Sequence, residues 1–180
     1  VLKIKGYGIG QILYLALSLV VTKAVYPKAR LLRLPFFFRV QGRLKIGKGA
    51  TIGRSCRIDV HPGGELSFGD KIQINDNCQI ACAGKIFIGN NVLIASKVFI
   101  TDHDHDYKDE GAPAQWALCA DNVKIGDNCW IGNGVSILKG VVIGRNSIIG
   151  AGSVVTKSFP ESSIIAGVPA KNITSFSPKL

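Results

Sequence analysis

From Ile125 to Val155 the chain sets an aliphatic side chain at every sixth position: Ile125, Ile131, Ile137, Ile143, Ile149 and Val155. Gly126, Gly132, Gly144 and Gly150 directly follow four of these rungs. Two residues before each rung lies another small or apolar residue: Val123, Cys129, Val135, Val141, Ser147 and Ser153. A period of six matches neither an amphipathic helix nor an alternating strand. It matches an all-β solenoid in which a short strand turns a corner every six residues and three strands close one coil. Ile125 is then expected to stack on Ile143, and Ile131 on Ile149, across strands about 4.8 Å apart. Glycine is expected at the corners because it takes positive φ without steric cost.

The rhythm appears earlier in shorter runs: Ile46, Ile52, Ile58; Phe68, Ile74, Ile80; and Ile88, Ile94, Ile100. Small offsets such as His61-Pro62-Gly63-Gly64 separate them, and a solenoid tolerates such bulges because each coil touches only its neighbours. After Ile100 the next rung falls on Asp106, so a loop is expected to leave the body over about 104–122 before the ladder resumes at Ile125. The reading is thus an N-terminal segment over 1–45, a β-helix over 46–173 with that loop, and a tail over 174–180.

The 180 residues suffice for one sizeable core. Five cysteines, an odd set without a C-x-x-C pair, read as reduced core thiols of a cytosolic protein. Charge is divided unevenly: residues 1–58 hold twelve of the 22 Lys and Arg and no acid, so the net charge of +10 belongs to this end. That pattern points to a local basic surface rather than to general nucleic-acid affinity. Ile9 to Val21 is mostly apolar and flanked by Lys3, Lys5, Lys23 and Lys28, but it is shorter than the roughly 20 residues a bilayer demands. It is expected to be a helix capping the open end of the solenoid. Phe36-Phe37-Phe38 with Arg30, Arg33, Arg39 and Arg43 adds the expectation of peripheral contact with an anionic membrane, at its cytoplasmic face.

The ladder, Asn128-Cys129-Trp130-Ile131-Gly132, Ile149 to Lys157 and Ala166-Gly167-Val168-Pro169-Ala170-Lys171 together resemble the hexapeptide-repeat acyltransferases. The similarity is greatest to the maltose/galactoside acetyltransferase type, including the sugar O-acetyltransferases of surface-polysaccharide synthesis. The resemblance implies a left-handed parallel β-helix, a homotrimer, and acetyl-coenzyme A bound between subunits. It also implies O-acetylation of a sugar or polysaccharide precursor.

Moving acetyl to a hydroxyl requires a base, and histidine suits that task at neutral pH. The stretch Asp102-His103-Asp104-His105-Asp106-Tyr107 supplies two. Aligning Asn91–Ala95 with the family puts the family base at His105, with His103 two residues away as the second candidate. By the same resemblance Trp130 packs beside histidine and coenzyme, and Ala151, Thr156, Lys157 and Lys171 contact the coenzyme. Asn75 and Asn77 correspond to a sugar-contacting turn. The family's acceptor carboxylate falls on Ala83, so either Asp76 or polar groups of the loop are expected to take its place. No metal is expected, since His61, His103 and His105 do not reproduce the three-histidine spacing of the γ-class carbonic anhydrases. A serine or amino-sugar N-acetyltransferase is the principal alternative. A non-catalytic solenoid and a sugar nucleotidyltransferase fit the motifs less well.

Overall fold

Six-residue periodicity acts by burying one aliphatic side chain per strand inside a three-sided coil. In a computed structural model, which describes residues 8–175, the rungs named above are all buried, and they stack in register from coil to coil. Ile88 pairs with Ile125 and Ile125 with Ile143; Ile94 pairs with Ile131 and Ile131 with Ile149; Ile100 pairs with Ile137 and Ile137 with Val155. Each buried aliphatic contributes about 1.5–3 kcal/mol relative to exposure, so the ladder is the main source of cohesion. The strands form three parallel sheets, one per side of the coil, of eight, six and five strands; the eighth strand of the first runs antiparallel. This is the hexapeptide-repeat β-helix. Lys3, Lys5 and residues 176–180 of the expected tail lie outside the described residues.

The glycines that follow the rungs have a reason other than the expected one. Gly126 and Gly132 do not adopt positive φ. A Cβ on Gly126 would meet Arg145 N at 2.5 Å, and one on Gly132 would meet Ala151 N at 2.6 Å. They are glycines because the next coil's backbone crosses directly over them. Positive φ falls two residues further on, at Gly134, Gly140 and Gly152, and equally at Asn77, Asn91, Asn128 and Asn146, which tolerate that region. Corner side chains also fasten coils together. Asp70 Oδ1 accepts from Lys48 N at 2.8 Å, Asp76 Oδ1 from Arg54 N at 2.7 Å, and Asp127 Oδ1 from Asn90 N at 2.7 Å.

The solenoid begins at Leu31 rather than at 46. Leu31–Leu32 pairs with Thr51–Ile52, Phe37–Val40 with Arg57–Val60, and Arg43–Ile46 with Glu65–Phe68, completing a first coil whose sequence lacks the six-residue glycine rhythm. Tyr26, just ahead of this coil, and Phe36 and Phe38 within it pack against the core at its open end, with Phe36 and Phe38 ring centroids 4.7 Å apart.

Ahead of it, the helix α1 (Ile9–Val25) ends where Tyr26 leaves helical geometry before Pro27. It lies against Leu31–Leu32, but with its polar stripe inward. Tyr14 Oη donates to Leu34 O at 2.6 Å, Ser18 Oγ accepts from Leu34 N at 3.3 Å, and Thr22 Oγ1 accepts from Leu32 N at 2.8 Å. These bonds satisfy the backbone of an edge strand that would otherwise be open to pairing. The helix was expected to cover apolar rungs with apolar side chains; it covers backbone polar groups instead, and the aromatics do the apolar closing.

The excursion after Ile100 is a β-hairpin. His103–His105 pairs antiparallel with Leu118–Ala120, and Pro113–Gln115 forms one 3₁₀ turn at its far end. At the other end of the molecule, Ser163–Gly167 folds back on Ala170–Ser175.

Candidate active site

The hairpin leaves the second sheet immediately after Thr101, so Asp102 and His103 stand at the junction of coil and loop. Asp102 is fully buried, and the preceding coil holds its carboxylate. Ala83 N–H donates to Oδ1 at 2.8 Å and Gly84 N–H to Oδ2 at 2.9 Å. Asp102 Oδ1 lies 2.9 Å from His103 Nδ1. A carboxylate only accepts, so Nδ1 carries the proton and Nε2 has the free lone pair. Cys82 Sγ donates to Asp102 Oδ2 at 3.4 Å. Burial, with the Asp102 charge behind it, pushes this thiol up to about 12, so it stays neutral.

His61, from the bulge two coils' length earlier in the chain, meets His103 edge-on with ring centroids 5.1 Å apart. Its protonation is pushed below the usual histidine range by burial first, then by His103 and Arg39. Both imidazoles line a cavity of about 800 Å³ on the second sheet, together with Arg39, Arg57, Asp59, His105, Lys139 and Thr156 among others. Asp59 is a nearly buried carboxylate on that wall. Arg57 Nε donates to its Oδ2 at 2.6 Å. Arg39 Nε approaches Oδ1 at 3.2 Å without hydrogen-bond direction, and that oxygen is buried with no donor. Lys139 Nζ donates to Asp104 Oδ1 at 2.6 Å and steadies the hairpin across the cavity mouth.

Among the sequence-derived candidates, His103, His105 and Thr156 share this cavity. His105 is exposed, and its Nδ1 faces Trp116 O at 3.3 Å with no carboxylate behind it. Trp130 lies on the first sheet, half exposed, in register between Leu93 and Ile148. Ala151 and Lys157 occupy exposed positions on the last coils, and Lys171 lies on the closing hairpin opposite Ala166. Asn75, Asp76 and Asn77 form a corner outside the cavity, where Asp76 is engaged in joining coils. Nothing in the spacing singles out Arg39, Arg57, Asp59 or His61. The one available signal is that Asp59 is the first acid in a long basic stretch, set beside a rung. Among the described residues, no cluster of His, Cys, Asp and Glu is arranged to hold a metal ion.

A parallel β-solenoid with a histidine–aspartate pair at the root of a lateral hairpin defines a hexapeptide-repeat transferase. The family described as "Bacterial transferase hexapeptide (six repeats)" matches residues 122–157. An Escherichia coli K12 protein named as a lipopolysaccharide biosynthesis O-acetyl transferase, WbbJ, is 37% identical over 96% of this chain and 92% of its own length. The structure of a maltose O-acetyltransferase from Clostridium difficile 630 is 35% identical and superposes with a TM-score of 0.67 over 74% of this chain and 70% of that chain. The hexapeptide-repeat acetyltransferase VCA0836 of Vibrio cholerae O1 biovar eltor, in complex with acetyl-coenzyme A, is 25% identical, with a TM-score of 0.61 over 88% of this chain and 76% of that chain. The chain belongs to the hexapeptide-repeat acyltransferases.

Proposed function

We propose that this enzyme transfers acetyl from acetyl-coenzyme A to a hydroxyl of a sugar in a surface-polysaccharide precursor, with His103 as the general base. The observation that carries the reading is the buried Asp102–His103 pair opening on the cavity. His103 Nε2 takes the proton as the acceptor oxygen attacks the thioester carbonyl carbon. The tetrahedral oxyanion then collapses, the C–S bond breaks, and the proton passes from the imidazolium to the coenzyme thiolate. Asp102 fixes the tautomer and balances the imidazolium, a role that its two backbone donors keep it in position to perform. His105, without such support, is assigned to the rim. The donorless Asp59 Oδ1 is the group on this wall best suited to accept from a sugar hydroxyl, which takes over the role that the sequence reading gave to Asp76.

Relatives named for O-acetyl transfer in lipopolysaccharide biosynthesis and to maltose, and a relative complexed with acetyl-coenzyme A, support donor and acceptor class. Trp130, Ala151, Lys157 and Lys171 lie away from the cavity of their own chain, which fits a homotrimer in which a neighbouring chain completes the coenzyme site. Free thiols, four of the five buried, fit a cytoplasmic enzyme.

The test is turnover with labelled acetyl-coenzyme A and a panel of glycan acceptors. His103→Ala is expected to lower kcat by about 10²–10⁴ with little change in coenzyme binding, and His105→Ala by less than about tenfold. The opposite order returns the base to His105. Release of the label by mild alkali identifies an ester; a resistant product overturns O-transfer in favour of an amide.

A further inference from the structure

Helix α1 is turned inside out for a helix bordered by water. Its inward stripe is Tyr14, Ser18 and Thr22, hydrogen-bonded to the first strand as described. Its outward face is Ile9, Leu13, Leu17 and Val20, which remain 79, 65, 57 and 67% exposed. Spacings of four, four and three residues keep these side chains on one side of the helix. No charged residue interrupts this face between Gly8 and Thr22. An apolar stripe of this length facing outward marks an interaction surface.

The surroundings define the partner's charge. Lys28, Arg30, Lys48 and Arg54 are exposed around the end that carries α1, and none forms an ion pair among the described residues. Arg33 and Arg54, with Asp76 as the one acid, line a cavity of about 200 Å³ against Gln11, Tyr14 and Leu15 of the helix, and Arg33 Nε is buried without a hydrogen-bond partner. From position 8 to position 58 the chain contains no acid. Phe37, on the same first coil, is also exposed. No helix among the described residues is long and apolar enough to cross a bilayer.

We propose that α1 lies flat on an anionic lipid bilayer, with Ile9, Leu13, Leu17 and Val20 in the acyl boundary and the basic first coil against the headgroups. A partner that is apolar inside and negative at its surface satisfies both features at once, as for other interfacial helices. A second copy of this basic end would bury the apolar stripe but bring like charges together.

The experiment is flotation of the full chain with vesicles of phosphatidylglycerol mixed into phosphatidylcholine, compared with phosphatidylcholine alone. Binding is expected to the anionic vesicles at low salt and to weaken as salt is raised. Leu13→Gln with Val20→Gln changes only exposed side chains, so circular dichroism should be unaltered. Recovery with vesicles should fall by about tenfold or more. Lys28→Gln with Arg30→Gln should flatten the salt dependence. Equal recovery on neutral and anionic vesicles, or no loss in the Leu13/Val20 variant, overturns the proposal. So does a Leu13/Val20 variant whose oligomer dissociates in sedimentation while vesicle binding is retained, which would assign the stripe to a second copy. None of these readouts depends on the acetyl-transfer reading.

Discussion

His61 illustrates how one side chain sets the conditions for another. Burial and the nearby His103 and Arg39 hold it below the usual histidine range, so it favours the neutral form beside His103, the proposed base. The unfolded chain protonates this histidine near pH 6.5 while the folded chain resists, so the unfolded state binds more protons in that window. The stability owed to its neutral form is therefore complete above about pH 6.5 and is lost as pH falls. The prediction is that His61→Gln loses less thermal stability than the parent between about pH 7 and pH 5. Parallel melting curves for the two proteins across that range check it; identical pH slopes would remove His61 from this role. At this scale little was legible in the sequence. The Asp102-His103-Asp104-His105 stretch announces acid–base chemistry, but two histidines on one strand face look alike until the partner is known. The preference for His103 comes from Ala83 and Gly84 holding Asp102, contacts that join residues 18 and 19 positions apart.

At the scale of the element, the period of six was legible almost without loss, because each strand is short and its rung is set by immediate neighbours. Ile125 on Ile143 and Ile131 on Ile149 follow from counting alone. The reason for the glycines was not, since a close approach depends on a coil many residues away. Two substitutions separate the roles. Gly126→Ala drives a methyl into Arg145 N and Cα and should cost about 1–3 kcal/mol in urea unfolding. Gly134→Asn, at positive φ with open space around it, should remain within about 0.5 kcal/mol of the parent. The orientation of α1 was present in the sequence as Tyr14, Ser18 and Thr22, spaced four apart. The run Ile9–Val21 reads only as mostly apolar, because which face meets the solenoid depends on an edge strand needing donors and acceptors.

For the whole molecule, the uneven charge was visible in the sequence, and the structure concentrates it on the first coils, the helix that borders them carrying only Lys23. Assembly is another matter, because a solenoid of one chain presents three outer faces and the sequence does not rank them. The exposure of Trp130 and Leu93 in register on the first sheet, outside the lining of the cavity, favours the proposed trimer. Sedimentation equilibrium is expected to give three chains, and Trp130→Ala to raise the KM for acetyl-coenzyme A more than it lowers kcat. A fully active monomer at micromolar concentration would refute the trimer.

The contacts from Ala83 and Gly84 to Asp102 have a further consequence for how the molecule comes apart. The groups that orient the proposed base belong to two successive coils, so the Asp102–His103 pair is held only while those coils are stacked. A chain whose segments touch only their neighbours loosens from its ends inward. Catalysis should thus survive early fraying and vanish when the central boundary opens. In an isotope-exchange experiment, the Ala83 and Gly84 amides should give up their protons in step with the loss of turnover, well after those of the terminal strands. The reaction rate then serves as a gauge of one internal seam.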